Sequence, residues 1–234
     1  MARVTVAAKD LQRFFEILGA TVGKVVDGDD TFACVYLRTG TAVAGDDVSA
    51  SQVLTGVTTD GVLIGRMHVS CNGSLDDPVL LPSAVLNWIR PALQEVIRGD
   101  KNSLVSLQVH RDTLEAKLIV ESDTSLLHQF NLQPVGSYPI DLCDRSLAGL
   151  TASDQVTDSD HRPLDSGKLS VFLGPHLGVL VTLAKKLHAD VYLHRVKHPA
   201  SAHLVSIGAW RGVLPGTRYS ADIDVDSPEE QPAL

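Results

Sequence analysis

One order of elements comes round three times and limits what this chain can fold into: a short apolar strand, an amphipathic helix, then three strands. The clearest copy occupies residues 168–219. Residues 169–173 are an apolar run that stops at Gly174 and Pro175. A helix is predicted over 175–188. Proline suits a first helical turn, and Leu177, Leu180, Val181, Ala184 and Leu187 fall on one helical face. Lys185, Lys186 and His188 sit in its last turn, where the helix dipole favours cations. Strands are predicted at 191–196, 203–207 and 212–214. The second copy starts with a strand at 78–81 and a helix introduced by Ser83, a good N-cap residue. That helix carries Val85, Leu86, Ile89, Leu93, Val96 and Ile97 at helical spacing, and alternating strands follow at 104–109, 114–120 and 126–132. The first copy has a strand at 4–6 and a helix at 8–20, with Leu11, Phe14, Phe15, Leu18 and Val22 on one face. Strands follow at 32–37, 53–58 and 62–69. What repeats is the pattern, not residue identity, and a repeated supersecondary unit implies a tandem architecture.

Alternating strands bury one face, and these helices bury one stripe. The fold class is α+β: tandem βαβββ modules of amphipathic helices and antiparallel strands. Aromatic residues make up 5% of the chain, so the core must be mostly Val, Leu, Ile and Ala. Cys34, Cys71 and Cys143 are odd in number and far apart, which points to buried thiols in a reducing, cytoplasmic setting. No run approaches the roughly 20 apolar residues of a membrane helix. Met1 leads straight into a strand without the apolar region of a signal peptide.

Residues 1–143 read as one unit of two modules. Asp27 to Asp30 and Gly45 to Asp47 are exposed turns, and Asp60-Gly61 is a hairpin turn. Pro91 predicts a kink in the second helix, or an end at Arg90 with a fresh turn. Residues 144–167 are rich in Asp, Ser and Thr, lack a clear period and read as a connector between domains, with partial order against a sheet as an option. Residues 168–219 form a second, reduced domain of one module. Residues 220–234 hold five acids and no Lys or Arg, the composition of a disordered acidic tail.

This organisation resembles the DNA sliding clamps, above all the bacterial β clamp, the processivity subunit of the replicative DNA polymerase. The resemblance rests on four stretches in order: VTVAAKDLQRFFEILGATVG from Val4, VLLPSAVLNWI from Val79, FNLQP with SYP from Phe130 to Pro139, and WRGVLP from Trp210. Together they cover most of residues 1–143 and 168–219. Two features depart from the family pattern. Only one module follows the connector, and Gly216 and Thr217 stand where a bacterial clamp carries Met and Arg.

The resemblance implies a DNA-clamp-like fold with the helices on one face of antiparallel sheets, where they face duplex DNA and their cations meet phosphate without reading bases. The candidates are Lys9, Arg13 and Lys24 on or beside the first helix, Arg90, Arg98 and Lys101 on or after the second, and Lys185 and Lys186 on the third. Asp10, Glu16 and Glu95 dilute that charge. The whole chain carries a net charge of -8, which argues against a general coat of DNA-binding charge but allows a local basic face. The resemblance also places Val213, Leu214 and Pro215 at a groove for a partner's peptide; an ordinary buried edge strand is the alternative.

His176, His188, His194, His198 and His203 crowd the last module but lack metal-site spacing, so no metal and no cofactor are expected. Gly19 to Lys24 fails as a phosphate loop, and no nucleophile elbow or catalytic carboxylate pair stands out. The expectation is a binding protein, not an enzyme. It would encircle duplex DNA as a homo-oligomer and tether a DNA polymerase, with a clamp loader as a further partner implied by the resemblance. The alternative is a clamp-fold interaction module that does not encircle DNA.

Overall fold

The computed structural model describes residues 3–25, 27, 30–43, 50–111, 116–122, 126–151, 174–195 and 202–215. The strand expected at 169–173, the tail at 220–234 and residues 152–167 of the expected connector lie outside them.

The first module is β1 (Arg3–Ala7), α1 (Ala8–Leu18), β2 (Cys34–Val43), β3 (Ala50–Thr59) and β4 (Ile64–Ser70). A short strand that the sequence did not signal, β5 (Asn72–Ser74), precedes the second module. That module is β6 (Val79–Pro82), α2 (Leu86–Gly99), β7 (Leu104–Arg111), β8 (Ala116–Ser122) and β9 (Leu126–Asn131). After it come α3 (Ile140–Thr151), then α4 (Gly174–Leu187), β10 (Tyr192–Arg195), β11 (Ala202–Ile207) and β12 (Trp210–Pro215). Among the described residues no helix is long and apolar enough to cross a membrane.

The strands form two antiparallel sheets, in the orders β5-β1-β7-β8-β9 and β10-β11-β12-β4-β3-β2-β6. The first two modules exchange their opening strands. β1 joins the second module's sheet through Val4 opposite Leu107, and β6 joins the first module's sheet through Tyr36 opposite Leu80. Each module therefore completes the other's sheet, which explains why 1–143 reads as one unit.

The strands of the last module extend the second sheet. β12 pairs with β4, with Gly212 opposite Gly65. These two glycines leave a slot for Trp210, which is fully buried. A Cβ at Gly65 would stand 2.7 Å from Trp210 Nε1 and 2.8 Å from Thr21 Oγ1, and a Cβ at Gly212 would overlap the indole ring. Only a strand without side chains at both positions lets the indole lie flat across the junction.

Strand alternation divides the burial between two cores. Val35, Leu37, Leu54, Leu81, Val205, Ile207 and Leu214 face the main core, together with Leu11, Phe14 and Leu18 of α1, Ile89 and Leu93 of α2, and Leu180 and Leu183 of α4. The first sheet adds Val105, Leu107, Leu118 and Val120 to the same core. Cys34, Tyr36, Val57, Leu80, Leu204 and Val213 point the other way, against Tyr138, Cys143 and Leu147.

α3 therefore covers the opposite face of the second sheet. Its residues 144–151 are the start of the expected connector, ordered against a sheet as a helix. Ile140, Cys143 and Leu147 lie at i, i+3 and i+7, enough for a three-turn amphipathic helix. Arg38 of β2 grips Asp144 of α3 with two hydrogen bonds of 2.6 and 2.8 Å. The Tyr138 hydroxyl donates to the Val57 carbonyl at 3.2 Å, and its ring stacks on Tyr36 at 5.7 Å.

Two local expectations are also corrected. Ser83 opens a 3-10 turn and makes no side-chain cap; α2 proper begins at Leu86. Pro91 does not end α2, which continues to Gly99. Asn87, whose carbonyl loses its helical donor to Pro91, lies on the exposed side of the helix, where water can serve that carbonyl.

Candidate nucleic-acid interface

Three helices bring their polar sides together. α1 buries Leu11, Phe14, Phe15, Ile17 and Leu18, so Lys9, Arg13 and Glu16 are left on its outer side. These three lie at i, i+4 and i+7, one stripe of the helix. α2 buries Leu86, Ile89 and Leu93, which leaves Arg90 and Arg98 exposed. α4 buries Leu180, Leu183 and Leu187, which leaves Lys185 exposed and Lys186 half-buried toward α1.

Glu16 is the meeting point. Lys186 Nζ donates to Glu16 Oε1 at 2.6 Å, and Arg90 Nη2 stands 4.0 Å from the same oxygen. One carboxylate thus joins cations from α4 and α2. Lys186 first, through its hydrogen bond, and then the charges of Lys186, Arg90 and Arg13 outweigh desolvation and hold the Glu16 carboxyl below its usual value. Arg13 donates to the Leu187 carbonyl at 3.2 Å, at the C-terminal end of α4, where the dipole favours a cation.

The other expected cations are spread around this centre. Arg98 pairs with Glu95 one turn back at 3.5 Å, both well exposed. Lys24 follows α1 and Lys101 follows α2, each exposed. Lys9, Lys24, Lys101 and Lys185 have no carboxylate partner among the described residues. The structure therefore gathers Arg13, Arg90 and Lys186 and leaves the remaining five as separate exposed charges. Sequence reasoning treated Glu16 only as a diluting acid; its shared stripe with Lys9 and Arg13 was the available signal.

Val213 and Leu214, two of the residues assigned to a partner groove, are buried. Val213 lies in the core under α3, and Leu214 is fully buried in the main core on the opposite face. Their strand, β12, is paired on both sides. Val213 and Leu214 are thus core residues here rather than groove walls; the side chain of Pro215 lies outside the described residues. The reason is the junction with β4, which the sequence did not reveal.

Exposed apolar side chains collect elsewhere. Leu177 and Val181 lie on the outer side of α4, and Val191, Tyr192 and Leu193 lie on or beside β10, an edge strand. Leu126 is exposed on β9, another edge. Trp88 of α2 is 66% exposed, its ring parallel to that of His128 at 6.3 Å. His176 meets Asp60 at 3.5 Å and ties the start of α4 to the β3–β4 turn. Among the described residues no cluster of three His, Cys, Asp or Glu side chains is placed to hold a metal.

No protein-family model matches this chain, and no curated protein matches it. Solved structures do. A DnaN sliding clamp (DNA polymerase III subunit beta) from Bartonella birtlesii is similar over 94% of this chain and 66% of its own, with a TM-score of 0.61 and 13% identity. The beta sliding clamp of Caulobacter crescentus is similar over 94% and 65%, with a TM-score of 0.56 and 13% identity. A candidate DNA polymerase III beta subunit from Eubacterium rectale is similar over 97% and 68%, with a TM-score of 0.59 and 10% identity. This chain has the fold of those clamps and spans about two thirds of the length of each.

Proposed function

We propose that this protein is a processivity factor that encircles duplex DNA and tethers a DNA polymerase or another replication or repair protein. The observation that carries the reading is the meeting of Arg13, Arg90 and Lys186, from α1, α2 and α4, around Glu16 in a chain with the fold of the clamps. Contact with phosphate through mobile Lys and Arg side chains is strong enough to hold a protein near DNA and carries no sequence information. The net charge of -8 is compatible with this, because repulsion over most of the surface leaves the helix side as the place where DNA can approach.

Encirclement needs more than one copy of this chain. Among the described residues β9 and β10 end their sheets and carry exposed apolar side chains, and such edges are normally covered. A homo-oligomer of two to four copies is the expected state, with four copies supplying twelve helices if α1, α2 and α4 of each face the hole.

The test has two arms. Binding to duplexes of unrelated sequence should be equal and should fall steeply with salt, and changing Lys185 and Lys186 together to Glu should lower it uniformly. Retention on closed circular DNA, lost on linearisation, would support encirclement. Binding without that topological dependence would sink it.

A second reading has its own observation. Leu177 and Val181 give α4 an apolar outer side, which suits a protein better than phosphate. A clamp-fold interaction module that binds a replication or repair protein and does not encircle DNA would use that side. Loss of partner binding in Leu177→Ser with Val181→Ser, with DNA retention unchanged, would favour it.

A further inference from the structure

We infer that Glu16 is an internal competitor for phosphate, whose carboxylate occupies the cations at the junction of α1, α2 and α4 and so limits how tightly this face holds DNA. The inference rests on the proposed DNA-binding role and adds a control to it.

The geometry is that of a carboxylate standing where a phosphate oxygen would stand. Lys186 Nζ reaches Glu16 Oε1 at 2.6 Å. Arg90 shares the same oxygen at 4.0 Å. Arg13, on the same stripe as Glu16, is turned toward the Leu187 carbonyl. Every one of the expected cations that the helices bring together is thus already engaged within the protein. Lys9 and Lys185, on the outer sides of α1 and α4, have no carboxylate partner among the described residues.

Exposure decides between a block and a limit. The Glu16 side chain is 37% exposed and that of Lys186 31%. A half-exposed pair of this kind is worth little and exchanges with solvent ions. A phosphate can therefore take Lys186 from Glu16, but only by displacing a bound anion that belongs to the protein. The net gain per cation is reduced, and so is the release of counterions, because Glu16 already does part of the counterion's work. A protein that must move along DNA is served by such a reduced grip.

A simpler role for Glu16 would be to staple α4 to α1. The two roles separate in measurement, since a staple changes stability and a competitor changes the salt dependence of binding. Binding of a mixed-sequence duplex would be measured between 50 and 200 mM salt for the wild type, for Glu16→Gln, and for Glu16→Gln combined with Lys186→Gln. Freeing one cation should steepen the slope of log affinity against log salt by about 0.9, and freeing both by about 1.8. Between those two salt concentrations each freed cation makes the loss of affinity about three- to fourfold larger. The added Lys186→Gln change should give back one such increment. Glu16→Ala repeats the test without the amide's hydrogen bonds, and thermal unfolding of each variant confirms that it is folded at the assay temperature.

If the wild type binds DNA and both neutral variants keep its slope, Glu16 is only a staple; the inference falls and the DNA-binding reading stands. If the gain appears but survives Lys186→Gln, the assignment to Lys186 is wrong. If none of the proteins binds at 50 mM salt, the DNA-binding reading itself fails and this inference with it.

Discussion

Glu16 also makes a prediction about stability that does not involve DNA. Its folded carboxyl titrates below the ordinary value, chiefly through the Lys186 hydrogen bond. The sign follows from linkage: a depressed carboxylate contributes stability above its unfolded pKa of about 4.3, and the contribution is lost as pH falls through the folded value. The melting temperature of Glu16→Gln should therefore lie below that of the wild type at pH 7, and the difference should close as pH falls through the folded carboxyl's value; because the pair is half-exposed, the stability difference at pH 7 should be at most about 1 kcal/mol. Gly212→Ala should be far more damaging, since its Cβ would overlap Trp210 in a slot with no spare room. Overpacking of this kind costs about 1–3 kcal/mol, and urea unfolding would measure it. Leu214→Ala should cost about 2–5 kcal/mol as a fully buried side chain, again read by urea unfolding. A Leu214→Ala variant of wild-type stability that had lost only a peptide partner would restore the groove. At this scale the sequence was legible where periodicity acts alone: Leu11, Phe14, Phe15 and Leu18 are buried as their spacing implied. It was not legible for Val213 and Leu214, because whether a strand is interior depends on which distant strand pairs beside it.

α3 is the element whose helical type the sequence reading did not give. The acids and hydroxyls around it mimic a linker, and its apolar stripe is only three residues wide: Ile140, Cys143 and Leu147. It lies against β2, β3, β11 and β12, and it shields two thiols. Burial pushes Cys34 and Cys143 up to about 11, whereas Cys71 is partly accessible. A thiol-reactive probe should therefore modify Cys71 first in the native protein. Leu147→Ala should speed modification of Cys143 and Cys34, as mass spectrometry of timed samples would show; unchanged rates would mean that α3 does not shield them. The remaining helices and most strands were legible to within a few residues, because each carries a period of 3.6 or 2 over at least one full face. β5, three exposed residues held by backbone pairing with β1, had no pattern to read.

At the scale of the whole molecule, strand exchange between the first two modules and extension of the second sheet by the third were invisible in the sequence. Pairing between distant strands is a matter of edges and register, and alternation is the same whichever neighbour a strand finds. Of the four edges of the described sheets, β5, β9, β10 and β6, those at β9 and β10 carry exposed apolar side chains and lead to the expectation of a mass in solution at least twice the 25.0 kDa of one chain. Light scattering at micromolar concentration would check it, and a monomer would remove the ring. The β4–β12 junction has a consequence for the chain as it is made. β4 ends at Ser70 and β12 begins at Trp210, so roughly 140 residues separate the two halves of one ladder. At a synthesis rate of about 5–20 residues per second, β4 waits roughly 7–28 s for its neighbour. Throughout that interval the ribosome-bound chain presents an open edge beside the vacant seat of Trp210, a surface that a second nascent chain could take first. Chains stalled between those two strands are the species most prone to misassembly, and shielding them on the ribosome would matter more for the yield of this protein than the stability of its finished form.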